Sequence, residues 1–299
     1  MNTHKSGRAT GLSNPASSKE AGRPSPSARI GCVPYLNAKP LIYGLENEVM
    51  LEHPARLAQR LAARELDTGL VPVVEVFRRS SYAIVDNIAI ACCGPVYSVI
   101  LAHRVPLQSL REVVVDSSSA TSTLLLKVLM QKHFGLKLRY VSESLADKRS
   151  DAEAQMLIGD QAIRFHQEVA ASPRDADSIQ HAGHKATGQP WQILDLGQAW
   201  SDWAHLPFVF AVWAVHADYP ELPALVRKLT AARAAGCAHI EEIIAREPHA
   251  DADFRRRYFG QNVYFNLGPS EKEAMRLFRQ LLIEIGELKK PYDLRFVSR

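Results

Sequence analysis

The sequence is short of the patterns that mark most chemistries. Its four cysteines, at 32, 92, 93 and 237, include no pair with the two-residue gap of a zinc knuckle or a thioredoxin-like dithiol. It has no Gly-rich G-x-x-x-x-G-K-[ST] loop, which argues against nucleoside triphosphates, and no G-x-S-x-G elbow of a serine hydrolase. The eleven histidines are scattered, without the i, i+4 pair that holds a metal on one helix face. No run approaches the roughly 18 apolar residues that cross a bilayer. The longest, Phe208 to Val215, is the size of a strand. Excess charge is also scarce. The formal net charge is +4, and Lys5, Arg8, Lys19 and Arg23 against Glu20 place most of it in residues 1–28. The rest is nearly neutral, which disfavours nucleic acid, because such binding draws on many Lys and Arg contacts.

The cysteines also bear on compartment. Cys92 and Cys93 lie in an apolar run and read as buried structural thiols. Four unpaired thiols in 299 residues suit a reducing environment. With only Met1 and Leu12 as large apolar residues before Ile30, the N-terminus lacks the core of a secretion signal. A cytoplasmic protein is expected.

Residues 1–28 hold six Ser, three Pro and three Gly and no periodic apolar face, so they read as a disordered tail. From Arg29 onwards short apolar runs suited to strands alternate with helical patterns. Strands are expected at 29–33 and 69–71, in the apolar runs 82–94 and 95–104, at 112–115, and at LRYVSES, AQMLIGD, WQILDLG and LPFVFAVWAV. Helices are expected over 53–67, from Pro72 onwards, between the polar loop at 116–122 and Gly135, and over 221–247 with a break near Gly236. A last helix opens at Ser270, where Ser270 and Glu273 have capping-box spacing, and the polar stretch 170–190 reads as a surface excursion. The alternation predicts an α/β protein with mostly parallel sheets. Ligands in such folds gather at the carboxyl ends of strands, which selects the loops 34–40, 92–98, 116–122 and 159–162.

The loop DSSSATS at 116–122 offers hydroxyls and the free N–H groups of a helix N-terminus, a natural site for a small anion; equally, one Ser there merely caps the helix. VPYLNAKP offers a phenol at Tyr35, an amide at Asn37 and a cation at Lys39, which suits a hydroxy acid, although an Asn between prolines is also a turn residue. Phe208, Phe210 and Trp213 either pack the core or lend one ring to a ligand. The residues alone lead to a two-lobed α/β protein that binds a small anion.

Taken together, RIGCVPYLNAKPLIYGLE, ELDTGLVPVVEVF, GPVYSVIL, VVVDSSSATSTLLLKVL, MLIGDQAI and LPFVFAVWA resemble, in order, the chorismate dehydratases of the futalosine route to menaquinone. The resemblance covers residues 29–285. It implies a two-lobed fold similar to type II periplasmic binding proteins, with two crossover strands and a ligand cleft. Lobe I would take 29–97 and 208–299, and lobe II 98–207. It also implies elimination of water from chorismate to give 3-[(1-carboxyvinyl)oxy]benzoate, a reaction whose chemistry requires neither metal nor organic cofactor. The substrate would be the small-molecule partner, with no nucleic acid and no membrane involved. Substrate contacts are expected from Tyr35, Lys39, Gly94 and Ser98, and from Ser119, Thr121 and Ser122 at the helix N-terminus. Asn37 would face the departing hydroxyl. The base would be Asp116, Asp160 or the substrate's own side-chain carboxylate.

Three rivals define the alternatives. A sister naphthoate synthase shares the fold but carries a catalytic His at the end of the strand that here reads MLIGD, where Gly159 and Asp160 stand. A small-carboxylate binding protein serving a transporter would need a signal or anchor. The effector domain of a transcription regulator would need a helix-turn-helix that residues 1–28 cannot supply.

Overall fold

The computed structural model describes residues 27–115, 119–142, 152–171, 190–247, 251–289 and 292–298. The expected tail and the polar excursion fall almost wholly outside them. The described residues form two sheets. The first is six-stranded: β1 (Ile30–Cys32), β2 (Val49–Leu51), β3 (Thr68–Pro72), β4 (Tyr82–Cys92), β10 (Phe208–His216) and β11 (Arg295–Val297), in the order β11-β4-β10-β3-β1-β2. The second is five-stranded: β5 (Val99–His103), β6 (Glu112–Val115), β7 (Arg139–Ser142), β8 (Ala154–Ile158) and β9 (Gln192–Asp195), in the order β7-β6-β8-β5-β9.

Both sheets are mixed, where the alternating pattern predicts mostly parallel ones. β10 runs antiparallel to β3 and β4, and β5 runs antiparallel to β8 and β9. The physical reason is the route of the chain between sheets. β4 carries it out of the first sheet at Cys92 and β10 brings it back at Phe208, paired directly with Cys92, so the two crossovers lie side by side in opposite directions. β4 is buried along almost its whole length, which its apolar run requires. Its one polar interruption, Asp86–Asn87, lies at a kink where Asn87 adopts φ +62 and its N–H donates to the Asp86 carboxylate.

Nine helices among the described residues cover these sheets. In α1 (Pro54–Ala62), with Pro54 at its first position, Leu57 and Leu61 are fully buried, as their four-residue spacing predicts. α2 (Val73–Arg78) follows β3, with Pro72 as its N-cap. α3 (Ala120–Val128) runs into a π-helical turn, Leu129–His133, before Gly135 at φ +70. α4 (Gly159–Ala171) and α5 (Leu196–Ala204) pack on the second sheet. The long C-terminal stretch gives α6 (Leu222–Ala238), α7 (Ile240–Ala245), α8 (Ala252–Arg257) and α9 (Pro269–Glu284).

Several local expectations change. The break in the 221–247 helix falls at His239 rather than Gly236, which lies inside α6. That glycine is needed for close approach: a Cβ on it would lie 1.9 Å from the Pro40 carbonyl oxygen. The last helix is capped two residues earlier than Ser270. Gly268 is the N-cap, Pro269 opens the helix, and the Glu271 carboxylate accepts the Gly268 N–H at 2.6 Å. Cys92 is buried but Cys93 is exposed, because it lies just beyond the end of β4. β2 and β11 escape a reading of apolar runs because each is a three-residue edge strand with few buried residues.

Candidate active site

A cleft opens between the two sheets, lined by residues of both. Its floor is apolar, from Leu70 and Pro72 at the end of β3, Ile90 on β4, and Phe210 and Ala211 on β10. Of the three aromatic residues on β10 considered from sequence, Phe208 and Trp213 are buried core, and Phe210 alone lines the cleft. Its ring makes an edge contact with Phe208 at 4.7 Å.

The polar lining comes from the carboxyl ends of four strands. After β1 the chain enters a 3-10 turn, Leu36–Leu41, that presents Asn37, with Tyr35 just before it. Beyond β4, the crossover loop supplies Ser98. After β6, Ser119, Thr121 and Ser122 stand at the start of α3. After β8, Gly159 opens α4 at φ +55, with Tyr35 packed so closely that a Cβ would lie 3.4 Å from its ring. Ser119 is the N-cap of α3, but its hydroxyl donates to Ser122 Oγ at 2.8 Å instead of capping the helix. The helix end therefore faces the cleft with its dipole and hydroxyls. Every side chain lining the cleft among the described residues is uncharged.

Six of the ten residues expected from sequence thus lie on one cleft: Tyr35, Asn37, Ser98, Ser119, Thr121 and Ser122. Three lie elsewhere. Lys39 is ion-paired with Glu247. Gly94, at φ +100, turns the crossover loop without lining the cleft. Asp160 lines a separate cavity with Leu36, Ile163, Arg164, Glu247 and Arg255, where burial pushes its carboxyl up. The tenth, Asp116, lies outside the described residues.

Known proteins place this architecture. Residues 28–284 match the family model described as menaquinone biosynthesis. The chain belongs to that family. Within it, the chorismate dehydratase of Thermus thermophilus is 31% identical over 266 residues, covering 85% of this chain and 94% of that one. Solved structures share the fold at lower identity. A protein of Archaeoglobus fulgidus, AF1704, superposes with a TM-score of 0.60 at 15% identity, over 87% of this chain and 97% of its own. The alkanesulfonate-binding protein SsuA of Xanthomonas axonopodis gives 0.59 at 13% identity, over 91% and 98%. The fold of this family member is thus α/β, two-lobed and like that of periplasmic binding proteins.

Sequence reasoning missed the groups that hold this family member's crossover loop. The Asp195 carboxylate, at the N-cap of α5, accepts N–H bonds from Val96 at 3.1 Å, Tyr97 at 2.7 Å and Gln198 at 3.0 Å. Burial pushes Asp195 up, and these bonds act against that shift. They hold Tyr97 at φ +60, a strained value for a non-glycine residue. On the other side, Asn262 donates to the Pro95 carbonyl at 2.8 Å, and the Tyr258 hydroxyl donates to Ser98 Oγ at 2.9 Å. Both belong to a π-helical turn, Tyr258–Asn262, that follows α8. No local signal reveals these partners, which lie about 100 or more residues from the loop they hold.

Proposed function

We propose that the protein is a chorismate dehydratase that eliminates water from chorismate to give 3-[(1-carboxyvinyl)oxy]benzoate. The observation that carries this reading is the convergence of Tyr35, Asn37, Ser98 and the start of α3 on one uncharged cleft, in a chain related to such an enzyme. In the reaction the C–H bond at the ether-bearing ring carbon breaks and its electron pair forms a ring double bond. The neighbouring C–O bond breaks with its pair, and the proton and hydroxide leave as one water. The ring becomes aromatic, which lowers what the protein must supply.

Chorismate carries two carboxylates, and helix N-termini can hold them without a cation. We assign one to the N–H groups and hydroxyls at Ser119, Thr121 and Ser122. The other goes to the first turn of α4 past Gly159, whose own N–H is bonded to the Ser98 carbonyl. The N–H groups of Val96, Tyr97 and Ser98 are already bonded, to Asp195 and to the Val96 carbonyl. Asn37 and Ser98 then face the ring hydroxyl that departs, where an aimed donor contributes on the order of 10²–10³ in rate. Phe210 lies against the ring. With an uncharged lining among the described residues, the substrate's own side-chain carboxylate takes the proton.

The naphthoate synthase alternative needs a His at the end of β8, where Gly159 and Asp160 stand instead, and a side chain at 159 would be strained at φ +55. We further propose lobes of 29–97 with 208–299 and of 98–207, in keeping with the two sheets. A cytoplasmic location is in keeping with four free cysteines. Among the described residues no helix is long and apolar enough to cross a membrane. The test is incubation of purified protein with chorismate and analysis by liquid chromatography and mass spectrometry. An aromatic product one water lighter is expected. Unchanged chorismate with folded protein would overturn the proposal.

A further inference from the structure

Tyr258 is fully buried, between Phe254 at 5.8 Å and Phe259 at 5.6 Å, and lies outside every segment that pointed to the site. A buried phenol must place its hydroxyl against partners. Its partner lines the cleft: the hydroxyl donates to Ser98 Oγ at 2.9 Å. The consequence for the cleft is a fixed polarity at Ser98. With its oxygen accepting from Tyr258, Ser98 keeps its own hydrogen to donate.

We infer that Tyr258 is a positioning residue for the elimination, orienting Ser98 as a donor toward the one substrate hydroxyl. An alcohol oxygen accepts such a bond. As the C–O bond breaks, negative charge grows on that oxygen and the Ser98 hydrogen bond strengthens. Tyr258 touches no substrate atom and acts through Ser98. The inference rests on the dehydratase reading, and wild-type turnover of chorismate is therefore measured first; its absence would count against that reading alone.

The test is Tyr258→Phe, which keeps the ring and removes the hydroxyl, compared with Ser98→Ala and with the double variant. Tyr258→Phe is expected to lower kcat at least about 10-fold while KM stays within about 3-fold, because the carboxylate contacts are untouched. The double variant is expected to lose clearly less than the product of the two single losses, since the two hydroxyls act as one chain. Where Tyr258→Phe fails to fold, Tyr258→4-methylphenylalanine fills the hydroxyl's volume and carries the same comparison. A kcat within twofold of wild type, or losses that multiply, would overturn the inference.

Discussion

Gly236 ties the stability of the fold to the placement of Asn37. In its last turns α6 lies directly on the 3-10 turn after β1, and a methyl group at position 236 would sit 1.9 Å from the Pro40 oxygen and 2.6 Å from its carbonyl carbon. Contacts under 3.0 Å are not tolerated, so in Gly236→Ala helix and turn must part by about 1 Å. Backbone faces backbone here, and no side chain can rotate away. Overpacking of this kind costs about 1–3 kcal/mol. Replacing glycine inside a helix returns up to about 1 kcal/mol. The steric cost wins, leaving about 1–2 kcal/mol of destabilisation and a fall in Tm of about 2–8 °C at roughly 2–4 °C per kcal/mol. The catalytic effect should be larger. The displaced turn carries Asn37, and a misplacement of about 1 Å can cost up to about 10²-fold in rate. We expect kcat/KM for chorismate to fall at least about 10-fold, measured beside a thermal melt. An alanine variant that melts at or above wild type with turnover within twofold would refute this reasoning.

Three further predictions address the cleft and its surroundings. Phe210→Leu should raise KM about 2- to 10-fold with little change in kcat, the loss of about 0.5–1.5 kcal/mol of ring contact; an unchanged KM would remove Phe210 from the substrate. Asp160→Asn should keep kcat within about threefold, because Asp160 lines a different cavity. A loss of 10²-fold or more would make it the base, and the same assay on Asp116→Asn completes the test of a protein carboxylate. Burial holds His166 below its ordinary value of 6.5. As pH drops through that value the unfolded chain takes up a proton that the folded chain does not, so stability falls. Tm should therefore drop more between pH 7.5 and 5.5 in wild type than in His166→Asn, and equal drops would refute the link.

The local order of the chain was legible because apolar periodicity and turn residues are local properties. Strands at Ile30–Cys32, Glu112–Val115 and Phe208–His216, the buried face of α1, and the four strand-end loops all follow from runs of a few residues. The rule that ligands gather at strand ends then brought Tyr35, Asn37, Ser98 and Ser119–Ser122 into view before any geometry. What stayed hidden were partners brought from elsewhere in the chain. Lys39 looks free in VPYLNAKP, yet Glu247 neutralises it across 208 residues of chain. Asp160 stands beside Gly159 in sequence but turns to another cavity. Gly236 reads as a helix breaker and is instead the point where two backbones touch. Composition, periodicity and turn chemistry thus determined the elements, the α/β class and the loops that could meet a ligand. Only the tertiary structure decided which side chains face the cleft, which charges are already spoken for, and that Tyr258, 160 residues from Ser98, donates its hydroxyl to it. Those outcomes depend on contacts between distant segments, and no local pattern encodes them.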